Sequence, residues 1–278
     1  MQQRKTADLR ESLAAATCRA MRNAVVTLPA DVKQAIDNAA VSETSEVAIG
    51  EYENIRKNIL AAERLGVPLC QDTGVPIVYL TLTPDVPFSL VLFEAVTEGV
   101  RRATAEVPLR PNVVDPLTRH NTGDNTGIGM PSVHIRPGKA FTVTVLPKGA
   151  GAENMSRVVM LLPSQKDQIK EVVVETMLIA GGRPCPPVVL GVGIGGTFDS
   201  APAMAKEALL QPIDQMDAFE QDICDAVNGL GIGPMGLGGK TSALAVKVKS
   251  AACHTASLPV AVNVQCWANR HATIEVDW

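Results

Sequence analysis

The sequence predicts an α+β fold in which an N-terminal helical bundle packs on a mixed β-sheet core with long glycine-rich loops. Apolar residues recur at helical spacing through the first sixty-odd residues, with polar residues between them. Apolar runs typical of strands follow, and loops rich in glycine and proline separate them. Helices at the front of the chain and strands behind them favour the α+β class.

Three helices are predicted in the first part of the chain. The apolar stripe of the first consists of Leu9, Leu13, Ala16, Ala20, Met21 and Ala24. Pro29 opens the second helix, and the polar residues 42–45 offer caps for a third that runs to about Leu65. Gly66 and Pro68 then end the helical pattern.

Strands and helices are both predicted in the remainder of the chain. The expected strands cover 75–82, 141–146, 188–192, 243–249 and 259–265, and the expected helices about 90–105, 163–180, 201–210 and 213–229. Residues 107–140 carry many Pro, Asn, Gly and Thr, which predicts a long and therefore functional or disordered loop. With no repeat and no linker, we expect one domain over 1–278, helical at about 1–66 and mixed α/β at about 67–278.

Composition excludes several classes of protein. Hydrophobic residues make up 46% of the 278 residues and charged residues 19%, so the chain can bury a sizeable core. The net charge of −4 and the aromatic content of 3% give no support to nucleic-acid binding. No window approaches the roughly 18 apolar residues of a membrane span, and the polar start predicts no signal peptide. We therefore expect a cytoplasmic protein without a disulfide framework.

The cysteines divide into two kinds. Cys18 and Cys224 fall on apolar faces of predicted helices and are expected in the core. Cys70, Cys185 and Cys266 lie in turn-prone or strand-end settings, which suggests a cluster with one iron left open. Any one of them alone is more often a core residue, so the spacing by itself is a weak signal. No C-x-x-C pair exists, which disfavours a structural zinc site or a ferredoxin-type cluster.

Two glycine-rich segments invite comparison with nucleotide-binding loops. Residues 191–196 read G-x-G-x-G-G, which lacks the spacing of a dinucleotide fingerprint. Residues 236–242 end in Gly-Lys-Thr-Ser, but Pro234 occupies the position of the first Walker glycine. A nucleotide-binding domain is therefore a poor interpretation. Two interpretations of these loops stay open. Their backbone approaches a small anionic ligand, or they are simple tight turns.

Three polar residues are candidates for chemistry. Arg110 follows a predicted helix and could bind a carboxylate through two hydrogen bonds, although most arginines are surface groups. Asp72 could handle protons beside a cysteine ligand. His254 follows a predicted strand, where a lone histidine is more often structural than catalytic.

The motifs taken together resemble a known family. In order along the chain they are Cys-Gln-Asp-Thr-Gly at 70–74, Asn-Thr-Gly at 121–123, Lys-Gly-x-Gly at 148–151, Cys-Pro-Pro at 185–187 with Gly-Gly-Thr at 195–197, Gly-Lys at 239–240, and His254 twelve residues before Cys266. The chain resembles the α subunit, or N-terminal half, of the class I (iron–sulfur) fumarate hydratase and L-tartrate dehydratase family. The resemblance covers essentially the whole chain.

The resemblance implies a cofactor and a set of site residues. A [4Fe–4S] cluster would be held by Cys70, Cys185 and Cys266. Substrate-binding positions map to Gln71, Arg110 and Gly151, and the positions with catalytic roles map to Asp72 and His254. The glycine-rich loops would then be active-site loops.

The implied activity is a carbon–oxygen lyase (hydro-lyase) reaction, the reversible hydration of fumarate to L-malate at a cluster with an open iron. An L-tartrate dehydratase α subunit, which converts tartrate to oxaloacetate, shares every motif. Residues 236–241 look more like the fumarase members, and mesaconate or another small dicarboxylate stays open. A non-catalytic iron–sulfur sensor or scaffold subunit is the alternative of another class. The presence of Gln71, Asp72, Arg110 and His254 argues against it, because a sensor needs only the cysteines.

The resemblance also implies a protein partner. In single-chain members of the family, further substrate-binding residues lie in a C-terminal domain, whereas this sequence ends at Trp278. We therefore expect a separate β subunit that carries the rest of the active site, in an α2β2 heterotetramer. No nucleic acid or membrane partner is expected.

Overall fold

Helices and two mixed sheets make up the computed structural model, which describes residues 2–278, with side chains from residue 6 onward. The helices are α1 (Gln2–Val26), α2 (Ala30–Ser42), α3 (Glu46–Leu65), α4 (Leu90–Glu106), α5 (Ala150–Glu153), α6 (Ile169–Ala180), α7 (Ser200–Ala208) and α8 (Ala218–Asn228). The strands are β1 (Val75–Leu82), β2 (Ser132–Pro137), β3 (Thr142–Lys148), β4 (Arg157–Leu161), β5 (Val188–Gly195), β6 (Ala243–Ala251), β7 (Leu258–Gln265) and β8 (Ala272–Glu275). The α+β prediction is confirmed. Within the described residues, no helix is both long enough and apolar enough to span a membrane.

The chain divides into two compact units. Unit 1 comprises Met1–Leu28, Ile59–Gly149 and Arg270–Trp278, and unit 2 comprises Pro29–Asn58 and Ala150–Asn269. The three N-terminal helices are divided between them, because α1 belongs to unit 1 whereas α2 and most of α3 belong to unit 2. The prediction of one domain over 1–278 stays a prediction.

Unit 1 is built on a sheet with the strand order β2-β1-β3-β8. β1 pairs in parallel with β2 and antiparallel with β3, and β8 pairs antiparallel with β3. Helix α1 packs against α4, β3 and β8, and its predicted stripe is buried, with Leu13 and Met21 fully inaccessible. A Cβ atom at Gly99 of α4 would lie 2.5 Å from the carbonyl oxygen of Ala14. The two helices therefore approach closely only because this position is glycine.

Unit 2 is built on a sheet with the strand order β4-β7-β5-β6. β5 pairs in parallel with β6 and antiparallel with β7. Helix α7 packs on β5, and α8 packs on β6. A Cβ atom at Gly191 or Gly193 of β5 would overlap the carbonyl oxygen of Ala205 or Ala201, respectively. The alternating glycines of β5 thus allow the backbone of α7 to lie directly against the strand.

Helix α8 is fixed at its start by side-chain hydrogen bonds. Asp217 caps it by accepting hydrogen bonds from the main-chain N–H groups of Phe219 and Glu220, at 2.9 and 2.8 Å. The Glu220 carboxylate reaches β6, where it accepts hydrogen bonds from the Val248 main chain and the Lys247 ammonium, each at 2.8 Å. This capping box begins the helix five residues later than position 213 of the predicted helix.

Other elements also differ from the prediction. The segment 107–140 was predicted as a loop throughout, but β2 forms near its end by parallel pairing with β1. β4, α5 and β8 were not predicted, since four- or five-residue runs give little periodic signal. The helix predicted over 163–180 begins with a 3₁₀ turn at Pro163–Gln168. Tertiary pairing, which the local pattern does not show, produces most of these differences.

The contact between β5 and α7 gives a test of the packing in unit 2. Gly191→Ala should lower the free energy of unfolding by about 1–3 kcal/mol, because the new methyl group meets the Ala205 carbonyl oxygen. Gly50→Ala is the matched control: it lies in α3, where a Cβ atom meets nothing within 4 Å, and alanine is the better helix former by about 0.5–1 kcal/mol. Urea unfolding measures both. Equal stability of the two variants would contradict the packing.

Candidate active site

The segment 70–74 leaves the core of unit 1 and returns to it within five residues. Leu69 is buried and donates its main-chain N–H to Val25 of α1 at 2.9 Å. Cys70 and Gln71 are exposed, and Thr73 is buried again just before β1 begins. The anchors on both sides therefore present the thiol of Cys70 and the amide of Gln71 at the surface of the unit.

Thr73 joins this segment to Arg110. Its hydroxyl accepts a hydrogen bond from the Arg110 main-chain N–H at 3.0 Å and donates one to the Arg110 carbonyl at 3.2 Å. The Arg110 side chain is exposed. Two residues that are 37 positions apart in the chain are thus tied together by one buried hydroxyl, and the structure brings Cys70, Gln71, Asp72 and Arg110 into one neighbourhood.

The Asp72 carboxylate is held in place by two hydrogen bonds. Its Oδ1 atom accepts from the Gly74 main chain at 3.0 Å and from Asn112 Nδ2 at 3.3 Å. Gly74 has a φ of 81° and lies against the backbone of Lys148, where a Cβ atom would be 2.8 Å from the main-chain nitrogen. The backbone turn that aims Asp72 therefore requires glycine.

Asn112 and Asn125 support the site, and the sequence did not single out either residue. Asn125 is fully buried and has a φ of 60°, a left-handed conformation that asparagine tolerates. Its Oδ1 atom accepts from the Asn112 main chain at 2.7 Å, and its Nδ2 donates to the Arg110 carbonyl at 3.0 Å. The Asn-Thr-Gly loop at 121–127 is therefore a brace for the Arg110 segment. The available signal was the Asn-Thr-Gly sequence, which occurs twice in that loop.

Arg270 was also missed as a site residue. Its guanidinium is buried, and Nη2 donates to the main-chain carbonyl of Asp72 at 2.5 Å. Gly149 adjoins both groups, because a Cβ atom there would lie 3.1 Å from Asp72 Oδ2 and 3.9 Å from Arg270 Nη2. The sequence offered only its position four residues after Cys266.

In unit 2 the structure brings Cys185, Cys266 and Gly151 to one end of the sheet. Cys185 precedes β5 and Cys266 follows β7, and the antiparallel register of these strands places both at the same end. The main-chain N–H of Trp267 donates to the Cys185 carbonyl at 3.2 Å. Gly151 lies beside the same turn, since a Cβ atom there would be 3.4 Å from the Arg183 carbonyl oxygen.

The turn that carries Cys185 is supported by Met235, which directly precedes the second glycine-rich segment. The main chain of Met235 donates to the Pro186 carbonyl at 2.8 Å. Lys240, at the end of this segment, donates its main-chain N–H to the Glu43 carboxylate at 2.7 Å. Burial opposes ionisation of Glu43, but hydrogen bonds from the main chain of Ser45, Lys240 and Thr44 lower its pKa. These contacts favour tight structural turns for residues 236–240.

His254 lies at the other end of the unit 2 sheet. It belongs to the connection that precedes β7, whereas Cys266 follows the end of that eight-residue strand. At the rise of an extended strand, this length separates the two by roughly 25 Å. Its Nδ1 atom accepts from the Ala256 main chain at 3.1 Å, so the neutral ring carries its proton on Nε2. The structure therefore does not bring His254 together with Cys185 and Cys266 of the same unit.

Exposure separates the cysteines as predicted. Cys18 and Cys224 are buried core residues. Burial and the neighbouring Glu106 carboxylate raise the pKa of Cys18 to about 11, and burial raises the pKa of Cys224 to about 12. Cys70 and Cys185 are exposed, and Cys266 is partly exposed. Cys253, which the sequence left unassigned, is exposed as well.

The donor chemistry of Cys70, Cys185 and Cys266 fits a sulfur-ligated iron cluster. All three thiols lie outside the apolar cores and none is in a disulfide, as cluster ligands must be. A cluster held by three thiolates has a net negative charge, and the buried Arg270 guanidinium supplies a positive charge beside the segment that carries Cys70. Within the described part of the chain, no group of three or more His, Cys, Asp or Glu side chains is arranged to hold a metal ion.

Comparison with known proteins identifies the family. Residues 14–275 match the family described as fumarate hydratase (Fumerase). The chain belongs to this family. A Methanocaldococcus jannaschii protein with the provisional name L(+)-tartrate dehydratase subunit alpha is 47% identical over 264 residues, which cover 90% of this chain and 93% of the relative. L(+)-tartrate dehydratase subunit alpha of Escherichia coli K12 is 32% identical over 259 residues, which cover 90% of this chain and 86% of the relative.

These matches confirm two predictions. The motifs at 70–74, 148–151 and 185–187 predicted an α-type chain of the fumarate hydratase and tartrate dehydratase family, and the family is shown over 14–275. The predicted enzyme class, a hydro-lyase, is that of the family. The roles of individual site residues stay predictions.

The brace loop gives a prediction with a defined pH dependence. Burial opposes ionisation of Asp124, but hydrogen bonds from Thr126, Arg101 and Thr122 lower its pKa from 3.8 to about 2. Asp124→Asn should therefore lower the free energy of unfolding by roughly 1–2 kcal/mol at neutral pH. Because the pKa of Asp124 is lower in the folded state than the unfolded value of 3.8, the ionised carboxylate stabilises the folded protein at pH values above 3.8. This stabilisation is lost as the pH falls towards 2.

Urea unfolding of the wild type and the variant at several pH values measures this window. The difference in free energy of unfolding between wild type and Asp124→Asn should be constant from neutral pH to about pH 5 and should shrink below pH 3.8. Asp277→Asn, which changes an exposed carboxyl in the same unit, should leave the midpoint unchanged. A difference between wild type and Asp124→Asn that persists undiminished in acid would contradict the assignment.

Proposed function

We propose that the chain is the α subunit of a hydro-lyase that removes water from a four-carbon 2-hydroxydicarboxylate, with L-tartrate as the first candidate substrate. The observation that carries the proposal is the Thr73 hydroxyl, which ties the segment of Cys70, Gln71 and Asp72 to Arg110. Cys185 and Cys266, joined through the hydrogen bond from the Trp267 main chain to the Cys185 carbonyl, supply the corresponding part of unit 2. A β subunit, an α2β2 assembly and a cytoplasmic location belong to the same proposal.

The names of the relatives favour L-tartrate, and the name of the family favours fumarate. The Methanocaldococcus jannaschii and Escherichia coli relatives are both named as α subunits of L(+)-tartrate dehydratase. The family itself is described as fumarate hydratase, and residues 236–241 look more like the fumarase members, which favours fumarate and L-malate. The reaction of fumarate with water to give L-malate is therefore the second candidate.

Three cysteines would hold the cofactor. Cys70, Cys185 and Cys266 are thiols outside the apolar cores, and we assign them as ligands of a [4Fe–4S] cluster. When bound, such a cluster supplies a Lewis-acidic iron that makes the substrate hydroxyl a better leaving group.

The residues around Asp72 would bind and orient the dicarboxylate. The exposed Arg110 guanidinium can donate two parallel hydrogen bonds to one carboxylate. The main chain of Arg110 is held by Thr73. The Gln71 amide donates to a substrate oxygen from the adjacent position. Gly151 lies at the surface beside the Cys185 turn and lets a carboxylate approach the main chain closely.

Asp72 would handle the proton. A proton on carbon beside a carboxylate is poorly acidic, so its removal needs a fixed base and a stabilised carboxylate. Hydrogen bonds from Gly74 and Asn112 to Oδ1 hold the Asp72 carboxylate, and its Oδ2 atom faces Gly149. The Asp72 carboxylate is therefore already fixed before substrate binds, so binding does not have to restrict a freely rotating side chain.

His254 would serve the site of a second copy of the chain. Strand β7 separates His254 from Cys266 within one copy, yet the histidine lies on an exposed connection with Nε2 available. In a symmetric assembly, a residue far from its own site can complete that of its neighbour. Together with Asp72, His254 would then take part in proton transfer.

Anaerobic co-expression with a β subunit tests the function. The purified complex should bind iron and sulfide and should turn over L-tartrate, with fumarate and L-malate assayed in parallel. Cys70→Ser, Cys185→Ser and Cys266→Ser should each lose most of the iron and essentially all activity, because a hydroxyl is a poor ligand for this cluster type. Iron and sulfide contents are measured together with turnover.

Cys253→Ser is the matched control for these variants, since Cys253 is exposed but has no assigned role. It should keep wild-type iron content. A complex in which the three ligand variants keep their iron would refute the ligand set. Iron binding without turnover of any of the three dicarboxylates would instead favour the iron–sulfur sensor or scaffold.

Mixing two inactive variants tests the role of His254. Cys266→Ser and His254→Asn should each be inactive alone. Random mixed assemblies of the two should regain about a quarter of wild-type activity, because half of the dimers are hybrid and each hybrid has one intact site. Activity after co-expression and after mixing of separately purified proteins gives the measurement. No recovery in co-expressed hybrids would show that His254 does not act across copies.

A further inference from the structure

Arg270 is a buried cation whose hydrogen-bonding capacity is mostly unused. The residue is 2% exposed. Its Nη2 atom donates to the Asp72 carbonyl, but Nε and Nη1 have no hydrogen-bond partner among the described residues. No described carboxylate forms an ion pair with it, and the Asp72 carboxylate directs its Oδ1 to Gly74 and Asn112.

Such an arrangement is costly unless an anion completes it. A guanidinium has five N–H donors in a fixed plane and cannot lose its proton in a protein. Buried arginine is therefore normally paired with a carboxylate or another anion. A lone hydrogen bond to a carbonyl does not explain why the chain keeps a charge at this position rather than an apolar residue of similar volume.

We propose that Arg270 is a positioning residue that binds an anion of the assembled active site. Nη2 fixes the main chain of Asp72, and Nε and Nη1 bind the anion. The same guanidinium thereby couples the shape of the segment at 70–74 to the presence of negative charge. The inference rests on the proposed function only for the identity of that anion.

Two anions of the proposed site have the required chemistry. One is a carboxylate of the substrate, which a guanidinium binds through parallel hydrogen bonds. The other is the thiolate-ligated cluster, whose negative charge a nearby guanidinium would stabilise. Arg270 lies beside Asp72, two residues from Cys70, so both anions are within the neighbourhood that the segment defines.

The first experiment uses the full-length chain without cluster and does not depend on activity. Arg270→Met removes the charge and keeps an unbranched side chain. Without the anion it should leave the thermal midpoint unchanged or raise it, because it removes two buried unsatisfied nitrogens. If the anion is the substrate carboxylate, L-tartrate should raise the midpoint of the wild type but not that of Arg270→Met. Arg10→Met, which changes an arginine whose side chain is 56% exposed, is the control.

The second experiment uses the reconstituted complex with the β subunit. If the anion is the substrate carboxylate, Arg270→Lys and Arg270→Met should raise the KM about tenfold or more and leave the cluster potential unchanged. If the anion is the cluster, Arg270→Met should lower its content or shift its midpoint potential to more negative values with little change in KM, and Arg270→Lys should restore part of the loss. Either pattern supports the proposal.

Two results would overturn the proposal. A thermal midpoint that falls in cluster-free Arg270→Met and is restored by Arg270→Lys would make Arg270 a structural support only. If L-tartrate stabilises the wild type no more than Arg270→Met, the substrate carboxylate is excluded, and unchanged KM, cluster content and potential in the second experiment would then exclude both anions. If the wild type binds no iron and turns over no dicarboxylate, the proposed function fails, whereas stabilisation by L-tartrate of the cluster-free wild type but not of Arg270→Met would still support anion binding by Arg270.

Discussion

The fixed shape of five residues, Cys70 to Gly74, is the constraint on which the candidate site depends. A segment that exposes two polar side chains would be mobile unless its backbone were held. Thr73 binds it to Arg110, Asn112 binds the Asp72 carboxylate, and Arg270 binds the Asp72 carbonyl. Each of these contacts joins the segment to a part of the chain at least 37 residues away. The side chains proposed for chemistry thus lie at the surface, and buried polar groups hold them in position.

In unit 2, backbone contacts and not side chains hold the candidate site residues in position. The antiparallel register of β5 and β7 places Cys185 and Cys266 at one end of the sheet, and the glycines of β5 let α7 pack directly on the strand. The main chain of Met235 then holds the turn of Cys185. Glycine-rich sequence that resembles a nucleotide-binding pattern is therefore needed here for close packing and tight turns.

The sequence predicted the parts of the fold that have strong local periodicity. The stripe of α1, the apolar run of β1 and the glycine-rich β5 all lie where they were expected. Short elements such as β2 and β4 were missed because pairing with distant strands creates them. For the site, motifs indicated which residues carry chemistry. They did not indicate Asn112 or Arg270, since a supporting residue is defined by a distant partner and not by its neighbours in sequence.

The return of the chain to unit 1 at Arg270 has a consequence for biosynthesis. Unit 1 contains β1, β3 and α4, but the arginine that holds the Asp72 carbonyl comes 198 residues after that aspartate, and β8 begins later still, at Ala272. Contacts of such long range form late and slow the folding of a domain. On the ribosome, the segment of Cys70 therefore gains its last supporting contact only after Arg270 has emerged. Iron and sulfide delivered to Cys70 would then find the segment in its final shape only after Arg270 has been synthesised.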